Sequence, residues 1–178
     1  MKTTTWLLTI AASTITFQAS ASDNTISFHG QVAEQTCNVT VNGNSTSPMV
    51  LLPTVSTGEL ANVNSVAGLT AFEVAVTDCG SIAAGTTFST VFVGNNVTTA
   101  GNLGNIGGSA QNVELQILEK EGTDIINLSN GPVSTEGFAL VAGESSASRN
   151  YYVQYHSPLG GATAGDVKGT LQYAITYQ

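Results

Sequence analysis

The last fourteen residues, Gly165 to Gln178, alternate between apolar and polar positions almost without a break. Val167, Leu171, Tyr173, Ile175 and Tyr177 fall on one face together with Gly165 and Gly169, while Lys168, Thr170, Gln172 and Thr176 fall on the other. Period-two alternation of β-branched and aromatic residues predicts a half-buried strand. Such a strand either finishes a sheet as an edge or is covered by another chain. Thr25 to Val32 repeats the pattern, with Ile26, Phe28, Gly30 and Val32 on one side and Thr25, Ser27, His29 and Gln31 on the other.

Between these two segments the chain reads as short strands separated by turn clusters. Cys37 to Val41 runs into Asn42-Gly43-Asn44-Ser45, a turn signal. Met49 to Leu52 is a short apolar run ending at Pro53, and Leu69 to Cys79 alternates through Phe72, Val74 and Val76. Thr87 to Val93 is broken by Gly94-Asn95-Asn96, and the glycine- and asparagine-rich stretch from Gly101 to Gly108 reads as a loop. Val113 to Ile117, Ile125 to Leu128, Phe138 to Val141 and Tyr151 to Tyr155 complete the set, with a turn at Glu119-Lys120-Glu121-Gly122. No helical repeat of useful length interrupts them. About eight strands at this spacing predict an all-β fold, an immunoglobulin-like sandwich with Greek-key connections.

The first 21 residues change the picture at one end. Lys2 precedes the apolar run Trp6-Leu7-Leu8-Thr9-Ile10-Ala11-Ala12, and Ala19-Ser20-Ala21 follows as a small-x-small site. This is the form of a secretory signal, too short for a membrane span. Cleavage after Ala21 leaves one domain of ordinary size. Charged residues make up only 9% of the chain and the formal net charge is −8, which argues against nucleic acid as a partner. No later apolar stretch is long enough to predict a membrane span. The two cysteines, Cys37 and Cys79, are most simply one disulfide in an exported protein. The alternative is a metal or redox site, which the lack of a CxxC and the distance of His29 and His156 along the chain make weak.

Catalytic patterns are missing. The sequence has no GxSxG and no HExxH, and Glu73, Asp78 and Glu114 are scattered rather than paired. His29 reads as a surface residue and His156 as a strand-end residue. The expectation is a protein without catalysis or cofactor. What remains is architectural: a spare strand before Cys37 and an edge at the other end. A chain with both is suited to head-to-tail linkage by strand addition. A contact of that kind is heterologous, so repeating it gives an open filament.

These residues resemble the pilins of the chaperone–usher pathway, the type 1 fimbrial subunits. The resemblance rests on Thr25–Val32 placed five residues before Cys37, on Gly58-Glu59-Leu60 with Val63 to Gly68 leading to Phe72-Glu73-Val74 and Asp78-Cys79, and on Asn112 to Leu118. It rests also on Ala162-Thr163-Ala164-Gly165 with a penultimate Tyr177. The family implies three parts: a signal peptide over 1–21, a donor-strand extension over 22–34 and a pilin domain over 35–178. It implies an immunoglobulin-like sandwich missing its last strand, with a groove beside the strand bearing Gly165, Val167, Gly169, Leu171, Tyr173, Ile175 and Tyr177. A periplasmic chaperone would fill that groove first. At an outer-membrane usher the next subunit's strand would replace it, through donor positions Asn24, Ile26, Phe28, Gly30 and Val32. The resemblance thus implies a structural subunit of an extracellular fimbrium, made of copies of this chain or other pilins, on a Gram-negative bacterium. The alternative it leaves open is an adhesive or adaptor subunit that binds a host receptor.

Overall fold

Alternating apolar residues become strands wherever a neighbour can accept their backbone hydrogen bonds, and here they assemble into two antiparallel sheets. The computed structural model describes residues 37–80 and 85–177. Among these the strands are β1 (Asn38–Val41), β2 (Ser65–Thr77), β3 (Thr87–Gly94), β4 (Leu103–Gly104) and β5 (Glu114–Lys120), then β6 (Thr123–Ile125), β7 (Val133–Ser134), β8 (Phe138–Ala139), β9 (Ala147–Ser157) and β10 (Leu171–Tyr177). The larger sheet runs β1-β2-β9-β5-β4, with β6 also on β5. The smaller runs β10-β3-β7, with β8 also on β3. Among the described residues, β1 and β10 are therefore edge strands of opposite sheets.

The inward faces of the two sheets make the core. Phe72 and Val74 of β2, Leu115 and Ile117 of β5, and Tyr151 and Val153 of β9 meet Phe92 of β3. Phe92 and Tyr151 pack edge to face with ring centroids 5.0 Å apart, a favoured aromatic arrangement. The Tyr151 hydroxyl, buried, is satisfied by Thr135 Oγ1 at 2.7 Å. At one end of the sandwich a second cluster gathers Cys37, Val76, Cys79, Phe88 and Leu140. At the other end Leu60, Ala110, Val113 and Ala162 form a third. Arg149, mostly buried, joins Glu119 at 3.2 Å and Glu136 at 3.1 Å and lies over the Tyr151 ring. Its hydrogen bond, with help from Lys120, holds the exposed Glu136 carboxyl below the usual carboxylate range.

The structure differs from the sequence reading in particular places. The expected strand from Gly165 begins only at Leu171. Ahead of it the backbone is bonded to the 105–110 loop: Ala110 N–H donates to Asp166 O and Ile106 N–H to Lys168 O, while Lys168 N–H donates to the Asn105 side chain. Gly165 itself has φ +153 and lies so close to Ala110 that a Cβ would come within 2.5 Å of its nitrogen. Glycine is the residue that fits such an approach. The run Met49–Leu52 is not a strand, because no described backbone pairs with it between Pro48 and Pro53. Leu103, expected in a loop, forms the two-residue β4 and is buried.

Candidate functional site

The four inward residues of β10, namely Leu171, Tyr173, Ile175 and Tyr177, are all only half-buried. Their counterparts on central strands are sealed: Val74, Val76, Phe88 and Tyr151 have no accessible surface. Leu171, Tyr173 and Ile175 pack against the central core, and Ile175 and Tyr177 against the disulfide cluster. Facing the same core from the β1 side are Val39 and two residues of the extended 48–53 segment, Val50 and Leu52, all half-buried. Met49 and Leu51, which alternate with them, point outward with 74% and 79% of their surface exposed. These half-buried residues form an apolar seam along the two edge strands.

The hydrogen-bonding phase of β10 follows from its neighbour β3. On β3, Thr90 O accepts Thr135 N–H on the β7 side. In an antiparallel ladder a residue's N–H and C=O point the same way, and the direction alternates along the strand. Odd-numbered β3 residues therefore face β10. In the observed register these are Val93, Val91 and Ser89, opposite Gln172, Ala174 and Thr176. The backbone groups of Leu171, Tyr173 and Ile175 consequently point away from β3 into the seam. They have no partner among the described residues. The half-buried side chains of β10 thus belong to the residues whose backbone groups point away from β3.

The seam has two distinct ends. Cys37 N–H donates to Tyr177 Oη at 3.0 Å, which ties the start of β1 to the end of β10. The Tyr177 ring packs on Phe88 at 5.3 Å. Cys37 and Cys79 are joined in a disulfide whose Cα atoms are 4.3 Å apart. At the opposite end Val167 packs against both the central and the third cluster. Tyr155 packs beside it, and burial raises its phenol pKa. A Cβ on Gly169 would come within 3.0 Å of Leu115 Cδ1, so this glycine lets the chain pass close over the core. The structure thus brings Leu171, Tyr173, Ile175 and Tyr177 onto one strand face, and sets Gly165, Val167 and Gly169 in the segment leading into it. Asn24, Ile26, Phe28, Gly30 and Val32 lie outside the described residues, as does the 1–21 segment.

Closing a loop of 42 residues, the disulfide is expected to contribute about 4 kcal/mol by restricting the unfolded chain. Replacing both Cys37 and Cys79 by alanine should therefore lower unfolding free energy by about that amount in urea titrations. A loss near zero would contradict the assigned role.

Sequence reasoning missed the Val39, Val50 and Leu52 wall. The only signal was the unbroken apolar run Met49–Leu52 between Pro48 and Pro53, of which every second residue turns to the core without a strand partner among the described residues. His156 does lie at a strand end, one residue before the close of β9, but sequence reasoning missed its burial and its partners. His156 is buried in β9, with Asn102 Nδ2 3.2 Å from its Nδ1 and Glu114 Oε2 at 4.0 Å. Asn102 and Thr98 both donate to that carboxylate. The cluster pins the loop before β4 to the sheet.

A family model described as fimbrial protein matches residues 26–178. The chain is 34% identical to the F17 fimbrial protein of Escherichia coli over 178 residues, covering 97% of each. It is 33% identical to the major fimbrial subunit SMF-1 of Stenotrophomonas maltophilia (strain K279a) over 171 residues, 89% of this chain and 95% of that protein. Among solved structures, the P pilus rod subunit PapA superposes with a TM-score of 0.59 at 14% identity, over 79% of this chain and 99% of that one. That last likeness concerns the fold, an immunoglobulin-like sandwich.

Proposed function

The chain belongs to the fimbrial protein family of chaperone–usher pilins, and on that premise we propose that it is a shaft subunit polymerised by strand exchange along β10. The family consists of structural subunits of surface appendages on Gram-negative bacteria, not enzymes. The observation that carries the proposal is the half-buried inward face of β10 combined with its outward-pointing backbone groups. A periplasmic chaperone fills the groove first. At the outer-membrane usher, Thr25–Val32 of the next copy replaces it, with Asn24, Ile26, Phe28, Gly30 and Val32 turned toward the core.

Chain connectivity supports exchange between copies. A strand completing this all-antiparallel sandwich runs antiparallel to β10. In one molecule, however, Cys37 sits at the Tyr177 end of β10. To run antiparallel, Val32 of the same chain would have to reach the Leu171 end, roughly 20 Å away along the strand. Residues 33–36 extend no further than about 17 Å. Its own strand enters only parallel, the weaker pairing. Antiparallel completion falls to another copy, and that contact is heterologous and open-ended.

Deleting the protein from its bacterium is expected to abolish the filaments that contain it as shaft, leaving cells bald by negative-stain electron microscopy. Filaments of unchanged number and length would contradict the shaft role and favour a minor or adhesive one.

A further inference from the structure

Each end of the sandwich carries exposed apolar side chains, and the strand-exchange reading puts the two ends in contact. At the end holding the third cluster, the loop after β9 is bonded to the loop before β2: Gly161 N–H donates to Ala61 O at 3.0 Å and Ala162 N–H to Leu60 O at 3.3 Å. This double loop carries Leu159 and Val63, 74% and 66% exposed. At the disulfide end, the loop after β8 carries Val141, 67% exposed, beside the buried Leu140 of the disulfide cluster. Glu144 N–H donates to Val141 O, and Cys79 N–H to Ser145 O, so this loop too is held by backbone bonds.

We infer that the end bearing Val63 and Leu159 docks onto the disulfide end, around Val141, of the next copy in the filament. This rests on the strand-exchange reading. A donor strand antiparallel to β10 leaves the groove at the Leu171 end, where the third cluster and its double loop lie. Only residues 33–36 then separate Val32 from Cys37, which belongs to the donor's disulfide end. A link of about 17 Å at full stretch brings the donor's body against the acceptor's double loop. Removing these exposed apolar side chains from water favours the contact. The occupant is thus a second copy of this chain. Docking adds a body-to-body contact to the strand, and it sets how the subunits stack.

The test separates the body contact from groove filling. Two forms of the mature chain are compared: isolated filaments, and a monomer whose groove is filled by a copy of Ser22–Val32 fused after Gln178. In filaments, Val63→Asp with Leu159→Asp, or Val141→Asp alone, should speed release of subunits in guanidinium on the order of tenfold. The fused monomer carrying the same substitutions should unfold at its unaltered rate, which also shows that these exposed positions do not disturb the fold. All three substitutions together should be no worse than the stronger set, because both sets break one contact. Unchanged filament release, equal acceleration in filaments and monomer, or full additivity would overturn the docking. A fused monomer no more stable than the unfused chain would instead overturn the strand-exchange reading itself.

Discussion

Without residues 22–34 and without a chaperone, the chain should be poorly stable in denaturant, and a copy of Ser22–Val32 fused after Gln178 should restore a stable monomer. The reason lies in the seam. Leu171, Tyr173, Ile175, Val39, Val50 and Leu52 are half-buried where a completed core would seal them. Filling it buries three further side chains, Ile26, Phe28 and Val32, each contributing roughly 1.5–3 kcal/mol. The inserted backbone pairs with the groups of Leu171, Tyr173 and Ile175 that point away from β3, at about 1 kcal/mol net for each hydrogen bond. The shift should therefore exceed that of any single core substitution. Urea or guanidinium titration of the two proteins measures it, and equal midpoints would show that the sandwich is already complete.

Replacing Gly30 by leucine should abolish the ability of the N-terminal strand to displace a chaperone. Gly30 shares a face with Ile26, Phe28 and Val32 yet has nothing to bury. Glycine inside a strand weakens it unless a neighbour comes too close for a Cβ. The side chains lining the seam are large, Tyr173 among them. A leucine there must push a wall residue aside, and overpacking of that kind costs about 1–3 kcal/mol. Wild-type and Gly30→Leu peptides spanning Ser22–Val32 are each mixed with the chaperone-bound subunit, and chaperone release is followed. Release by the wild type alone is the expected result. Equal release by both would mean that the position is an ordinary bulge.

Much of this was legible in the sequence, for a physical reason. Where a strand is buried on one face, alternation is imposed on every residue, so Leu171 to Tyr177 and Phe72 to Val76 announce themselves. The Asn42-Gly43 turn was equally plain: both residues adopt positive φ, 47° and 76°, which asparagine and glycine tolerate best. The disulfide followed from export and cysteine count. What escaped was set by long-range contacts. Gly165 to Lys168 continues the alternation but is drawn to the 105–110 loop by hydrogen bonds of Asp166 and Lys168 that no local pattern encodes. Leu103 is buried because β4 lies on β5, although its glycine-rich surroundings read as loop. Val50 and Leu52 line the groove from a segment whose backbone has no described ladder partner. His156 is the strand-end residue it looked like, but its burial was hidden because Asn102, its partner, is 54 residues away in sequence.

Amide hydrogen exchange along β10 tests the central claim most directly. The N–H groups of Gln172, Ala174 and Thr176 face β3, whereas those of Tyr173 and Ile175 point into the seam. In the assembled filament and in the fused monomer, the Tyr173 and Ile175 amides should be as strongly protected as those of Gln172 and Ala174. In the chain lacking residues 22–34, Tyr173 and Ile175 should exchange far faster than their even-numbered neighbours. If Tyr173 and Ile175 exchange equally fast in the filament and in the shortened chain, no strand occupies the groove and the account fails.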